Sequence, residues 1–187
     1  IPLGLFNYGG VVAIQTLWAG PWMVRVTGYS ALESATGLFW INTTMLVAFF
    51  IFGYILPKIT KLGIGSMRLM KFGLPISYLF LLVIIISGEN AGAIHFAIYV
   101  LTSIVLTLTQ PAVALSFPTS LAGKSLTSFN LLIFVGTFIM QWGIGLVIDL
   151  SKFFGKGEVQ SFQISFLVYL VICLISYFYF IINNKNE

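Results

Sequence analysis

Amide, hydroxyl and indole side chains recur at helical spacing inside stretches that otherwise hold almost nothing polar. Tyr8, Gln15, Trp18 and Trp22 are separated by seven, three and four residues, and Asn130, Thr137 and Gln141 by seven and four. Such spacings put side chains on one face of an α-helix. His95, Tyr99, Thr102 and Thr109 repeat the pattern, while Asn42 to Thr44 form a polar patch too short to define a face. The chemistry open to these groups is recognition. Gln15, Asn130 and Gln141 can hydrogen-bond a polar solute, Trp18 can stack on it or shape its site, and Tyr8 and Thr137 complete the two stripes. The alternative is interhelical hydrogen bonding, worth about 0.6 kcal/mol on average per contact. Trp22 reads better as an anchor at the membrane interface.

Catalytic patterns are missing from the sequence. It has no Gly-rich phosphate loop followed by Lys and Ser/Thr, so nothing points to driving by ATP. No Cys/His cluster has metal-ligand spacing, and no Ser–His–Asp or paired-acid arrangement sits within an apolar run. No cofactor is expected. His95, the only histidine, follows Glu89-Asn90 and reads as an exposed structural residue; Cys173, the only cysteine, reads as a small packing residue. Glu33, Glu89, Asp149 and Arg25 flank the apolar runs rather than occupy their middles.

Six apolar runs must position these side chains: 3–24, 31–56, 72–87, 91–117, 125–150 and 162–182. A helix needs roughly 20 apolar residues to cross about 30 Å of hydrocarbon, and each run meets or approaches that length. Hydrophobic residues make up 59% of the chain and charged residues 7%, too little charge to cover a water-soluble domain. Barrel strands would be short and alternating, and no alternation is present. The expected fold is all-α: a single six-helix transmembrane bundle spanning 1–187, with the lipid bilayer as its partner and no nucleic acid. The net charge of +4 belongs to the loops between the runs.

An even number of crossings puts both termini on one side. The loops 57–71 and 118–124 and the tail carry Lys58, Lys61, Arg68, Lys71, Lys124 and Lys185, against Arg25, Lys152 and Lys156 opposite. Lys/Arg excess in short loops marks the cytoplasm, so both ends are expected there. Gly20-Pro21 is expected to break or end helix one and Pro111 to kink helix four. The chain opens on Ile1 with no basic stretch and no cleavage pattern, so no signal peptide is read, and a fragment or a processed chain is expected.

There is a faint internal echo. Gly53 stands four residues before Pro57 with Lys58 after it, and Gly145 four residues before Asp149 with Lys152 after it. Coincidence accounts for this as readily as two inverted three-helix repeats. Three stretches then carry a wider resemblance: Gln15-Thr-Leu-Trp18-Ala-Gly20-Pro21-Trp22; Gly53-Tyr-Ile-Leu-Pro57-Lys58-Ile-Thr-Lys61-Leu-Gly63; and Phe117-Pro118-Thr-Ser-Leu-Ala-Gly123-Lys124 with Asn130 and Gln141-Trp142-Gly143-Ile-Gly145. Over nearly its whole length the chain resembles the C-terminal six-helix half of a major facilitator superfamily transporter. Pro57 departs from the family's loop motif, which carries an acid there.

The resemblance implies secondary active transport of a small solute by alternating access. Two six-helix halves would rock about a central site, the N-terminal half being a partner not contained in this chain. It places helices one and five beside the cavity, and Gly53, Lys58, Lys61, Gly63, Gly123 and Lys124 in loops that favour one orientation of the bundle. The expected location is a bacterial inner membrane, and no enzymatic activity is expected. The competing readings are an integral-membrane enzyme acting on a lipid-linked substrate, and an inactive half-transporter or scaffold.

Overall fold

The computed structural model describes residues 1–184; Lys185 and the rest of the expected cytoplasmic tail lie outside them. Every element among the described residues is helical. Residues 3–25 form α1, followed by α2 (Ala31–Lys61), α3 (Ser66–Ser87), α4 (Ala93–Leu115), α5 (Ala122–Phe153) and α6 (Glu158–Asn183). The five helices α2 to α6 are each long and apolar enough to cross a membrane. They make the chain an integral membrane protein, with its backbone polar groups satisfied inside each helix.

Two helices are not regular. α1 is a chain of four pieces: π-helix at Leu3–Tyr8, α-helix at Gly9–Ala13, π-helix at Ile14–Trp18 and α-helix at Ala19–Arg25. The expected break at Gly20-Pro21 does not end the helix. Pro21 has no N–H for the Leu17 carbonyl, and the departure from α geometry lies in the π segment just before it. α4 tightens to 3₁₀ geometry over Ser103–Leu108. Pro111 lies just beyond, so its irregularity too falls upstream of the proline that lacks a donor.

The helix ends also differ from the limits of the apolar runs. α2 continues through Pro57 to Lys61 and α3 begins at Ser66, leaving only residues 62–65 between them. Hydropathy stops where charge begins, but a helix does not: Lys58 and Lys61 in the last turn of α2 suit its negative end. At the other end, Ser30 and Glu33 close a capping box. The Ser30 N–H donates to Glu33 Oε2 at 2.8 Å, and the Glu33 N–H donates to Ser30 Oγ at 3.3 Å.

α1 packs on α2, α4, α5 and α6, and α4 packs on α1, α2, α3 and α5. Glycines let the backbones of α1 and α5 approach closely: a Cβ on Gly136 would run into the Leu5 carbonyl oxygen, and a Cβ on Gly9 would lie 2.7 Å from backbone atoms of Gly136 and Thr137 in α5. Small residues permit such contact between helices in lipid. Near the end of α1, Trp22 is 0% exposed and enclosed by Phe96, Phe162 and Phe166, with ring centroids 4.7–6.0 Å away. This corrects its placement as an interface anchor. Trp40 on α2 is 59% exposed. α2 is the least enclosed of the five long helices, with 17% of its most apolar window buried.

Candidate functional site

Three uncharged side-chain pairs tie neighbouring helices together at positions that are not buried. Gln15 Nε2 donates to Asn42 Oδ1 at 2.9 Å, joining α1 to α2. Gln141 Nε2 donates to Thr16 Oγ1 at 3.1 Å, joining α5 to α1. Gln110 Nε2 donates to Asn130 Oδ1 at 3.1 Å, joining α4 to α5. All six side chains are partly or wholly exposed. Gln15 and Thr16 are consecutive, so the first two pairs meet at one level of α1. Asn130 and Gln141 are eleven residues apart on α5, which sets the third pair about 16 Å along the helix.

The neighbours reinforce these pairs. Asn42 Nδ2 also donates to the Leu38 carbonyl at 2.8 Å, and Thr16 Oγ1 to the Val12 carbonyl at 2.6 Å. Trp18 Nε1 donates to the Gln141 carbonyl at 3.0 Å, and its ring lies against Phe162 at 6.1 Å. Trp18 therefore braces α1 against α5 and α6. Thr137 turns its hydroxyl back to the Ile133 carbonyl at 2.9 Å. Tyr8 is half-buried against the core.

The structure thus brings Gln15 and Gln141 to one level of α1 and leaves Asn130 exposed about 16 Å along α5. It does not keep Tyr8, Gln15, Trp18 and Trp22 in one stripe. The π segment at Ile14–Trp18 lies within this stripe, and the residue it adds to a turn rotates the remainder of the helix by about 100°. Trp22 accordingly turns into the core. α5 is α-helical throughout, and Asn130 and Gln141 both reach partners on neighbouring helices. Thr16 and Gln110 fall outside the spacing patterns. Their signal is their type within an apolar run, which no periodicity picks out.

A second polar group lies wholly inside. Tyr78 donates to Asn7 Oδ1 at 2.7 Å, Tyr169 donates to the Asn7 carbonyl at 3.4 Å, and the Tyr99 and Tyr169 hydroxyls lie 3.1 Å apart. Asn7 is 1% exposed, and its Nδ2 has no partner among the described residues. Cys173 is buried as well. These residues come from α1, α3, α4 and α6, and Gly10 leaves the space for the Tyr169 ring. With its polar groups turned on one another, the cluster joins four helices.

The loop candidates are placed differently from expectation. Gly53 sits on an exposed face of α2, and Lys58 lies 3.8 Å from the centroid of the Tyr54 ring. Lys58 and Lys61 belong to the last turn of α2, and Gly123 and Lys124 to the first turn of α5; none of the four lies in a loop. Gly63 alone does, with φ +81°, a conformation that strains any residue with a side chain.

At the opposite end Glu158 opens α6. Its carboxylate meets Lys152 at 2.5 Å and Arg25 at 3.7 Å, the cations closing α5 and α1. Each charge suits its helix end, and the exposure limits each pair to about 0–1 kcal/mol. His95 is half-buried in the first turn of α4 rather than exposed, and its Nδ1 is unpaired among the described residues.

No protein family, no curated protein and no solved structure matches the chain. The fold defines a helical integral membrane protein whose helices are linked by three uncharged side-chain pairs.

Proposed function

We propose that this chain is one six-helix half of a secondary carrier of the major facilitator type, moving a small solute across a bacterial inner membrane by alternating access. The observation that carries the reading is the set of three partly exposed, uncharged pairs linking α1, α2, α4 and α5, two between amides and one between an amide and the Thr16 hydroxyl. Polar groups are costly against lipid and normally face a bundle interior or a water-filled cavity. A face that keeps Asn42, Thr16 and Asn130 exposed therefore suits an aqueous vestibule closed by a second six-helix half.

The packing supports two inverted three-helix repeats. Exchanging α1 with α4, α2 with α5 and α3 with α6 converts the contacts of α1 into those of α4. The α5–α6 contact departs from this scheme, because α2 and α3 make no comparable one. The irregular segments of α1 and α4 stand in corresponding members, and interrupted helices line the sites of many carriers. The basic residues Lys58, Lys61, Arg68, Lys71 and Lys124 favour an orientation with both termini cytoplasmic.

Cysteine accessibility tests the vestibule. In membranes from cells making the complete protein, Asn42→Cys and Asn130→Cys should react with a membrane-impermeant thiol reagent, while Phe50→Cys and Val135→Cys should not. Cys173 is buried and gives little background. Equal inertness of all four positions, in protein that inserts normally, would remove the aqueous face and the carrier reading with it.

A further inference from the structure

We infer that the solute is uncharged and rich in hydroxyl groups, of the polyol or monosaccharide class; this rests on the carrier reading above and concerns the same face. The first ground is the hydrogen-bonding capacity left over. Each pair uses the glutamine Nε2 as donor, so the Oε1 atoms of Gln15, Gln110 and Gln141 accept no hydrogen bond among the described residues. Asn130 Nδ2 likewise donates none among them. The face therefore presents unmet acceptors beside unmet donors. A hydroxyl group both donates and accepts and can answer either. A carboxylate or phosphate only accepts, and would leave three carbonyl oxygens desolvated without a donor.

The second ground is charge. No Lys, Arg, Asp or Glu occurs at 3–24, 34–57, 72–88, 125–148 or 159–183, and within α4 the one titratable side chain besides tyrosine is His95, in its first turn. The amide pairs lie inside these charge-free stretches or, for Gln110, at the far end of α4 from His95. An ammonium could satisfy the three Oε1 atoms, but this face offers no carboxylate to pair with it. Burying an unpaired ion costs far more than burying a hydroxyl that finds its partners. Gln141 reaches Thr16, the residue next to Gln15 on α1, so two of the three free Oε1 atoms belong to one level of the helix. Gln110 and Asn130 lie about 16 Å nearer the basic end, on the solute's route.

Counterflow in vesicles from cells making the complete protein tests this, with labelled sorbitol, glucose, lactate and choline as probes and vesicles lacking the protein as blank. Sorbitol or glucose should exchange while lactate and choline stay at blank level. Gln15→Leu and Gln141→Leu should each raise the half-saturation concentration about tenfold, the loss of one well-made hydrogen bond. Gln141→Asn keeps the amide but withdraws it by one methylene, so it gives a smaller rise even if the leucine variants insert poorly. Exchange of lactate or choline with both neutral probes inert would overturn the solute class and leave the carrier reading standing. Neutral exchange indifferent to all three variants would overturn the assignment to this face. Inertness of every probe, in protein shown to be inserted, would overturn carrier and solute class together.

Discussion

Replacing Gly9 by alanine tests the contact on which the open face depends. The new Cβ would lie 2.7 Å from the Gly136 carbonyl carbon and from the Thr137 nitrogen. Those are backbone atoms of α5, which cannot rotate aside as a flexible side chain could. Heavy atoms rest near 3.5 Å, so the helices must part locally by roughly 0.8 Å. Overpacking of this kind costs about 1–3 kcal/mol, and alanine's better helix propensity returns at most about 1. Gly143→Ala on α5 is the matched control, since its Cβ would meet nothing within 4 Å. A net loss of about 1–2 kcal/mol lowers the unfolding midpoint by roughly 2–8 °C in a chain of this size. Thermal unfolding of the purified protein in one detergent, followed by intrinsic fluorescence, reads the difference. Gly9→Ala should melt below the parent and Gly143→Ala at or above it. If Gly9→Ala melts with Gly143→Ala, α1 does not lie on α5 in this way, and the Gln141–Thr16 pair seven residues further on loses its support.

Trp22→Ala should cost about 3–5 kcal/mol, as expected for emptying a closed aromatic core, whereas Trp40→Ala on the open flank of α2 should fall within about 1. The same melting assay decides between burial and interface anchoring, because an anchor at Trp22 would give two similar, small effects. Tyr78→Phe removes the donor to Asn7 Oδ1 and leaves a buried amide with less to bond, so a loss of about 1 kcal/mol is expected. Tyr54→Phe, at an exposed position, should leave the midpoint unchanged, and an equal effect of the two would mean that Asn7 is hydrated in the native state.

The all-helical class and the apolar helices of membrane length follow from composition alone, because lipid accepts few backbone arrangements and asks for long uncharged runs. The presence of amides within those runs was equally legible. Their partners were not. The pairs Gln15–Asn42, Thr16–Gln141 and Gln110–Asn130 each join two helices, and no spacing along one helix records which neighbour lies opposite. The stripe read along α1 assumed 3.6 residues per turn, and the π segment at Ile14–Trp18 breaks that count. Trp22 therefore entered the core although its type and position suit an interface. Lys58 stands inside a helix because α2 runs on past its apolar stretch, and the cation suits the negative end; Lys124 falls in the first turn of α5, whose start carries no side-chain cap that the sequence could announce. Asn7, Tyr78, Tyr99 and Tyr169 converge from four helices, an arrangement created only when glycine contacts draw α1 against α5 and α6. Chemical type is written residue by residue, while adjacency between helices is a property of their packing.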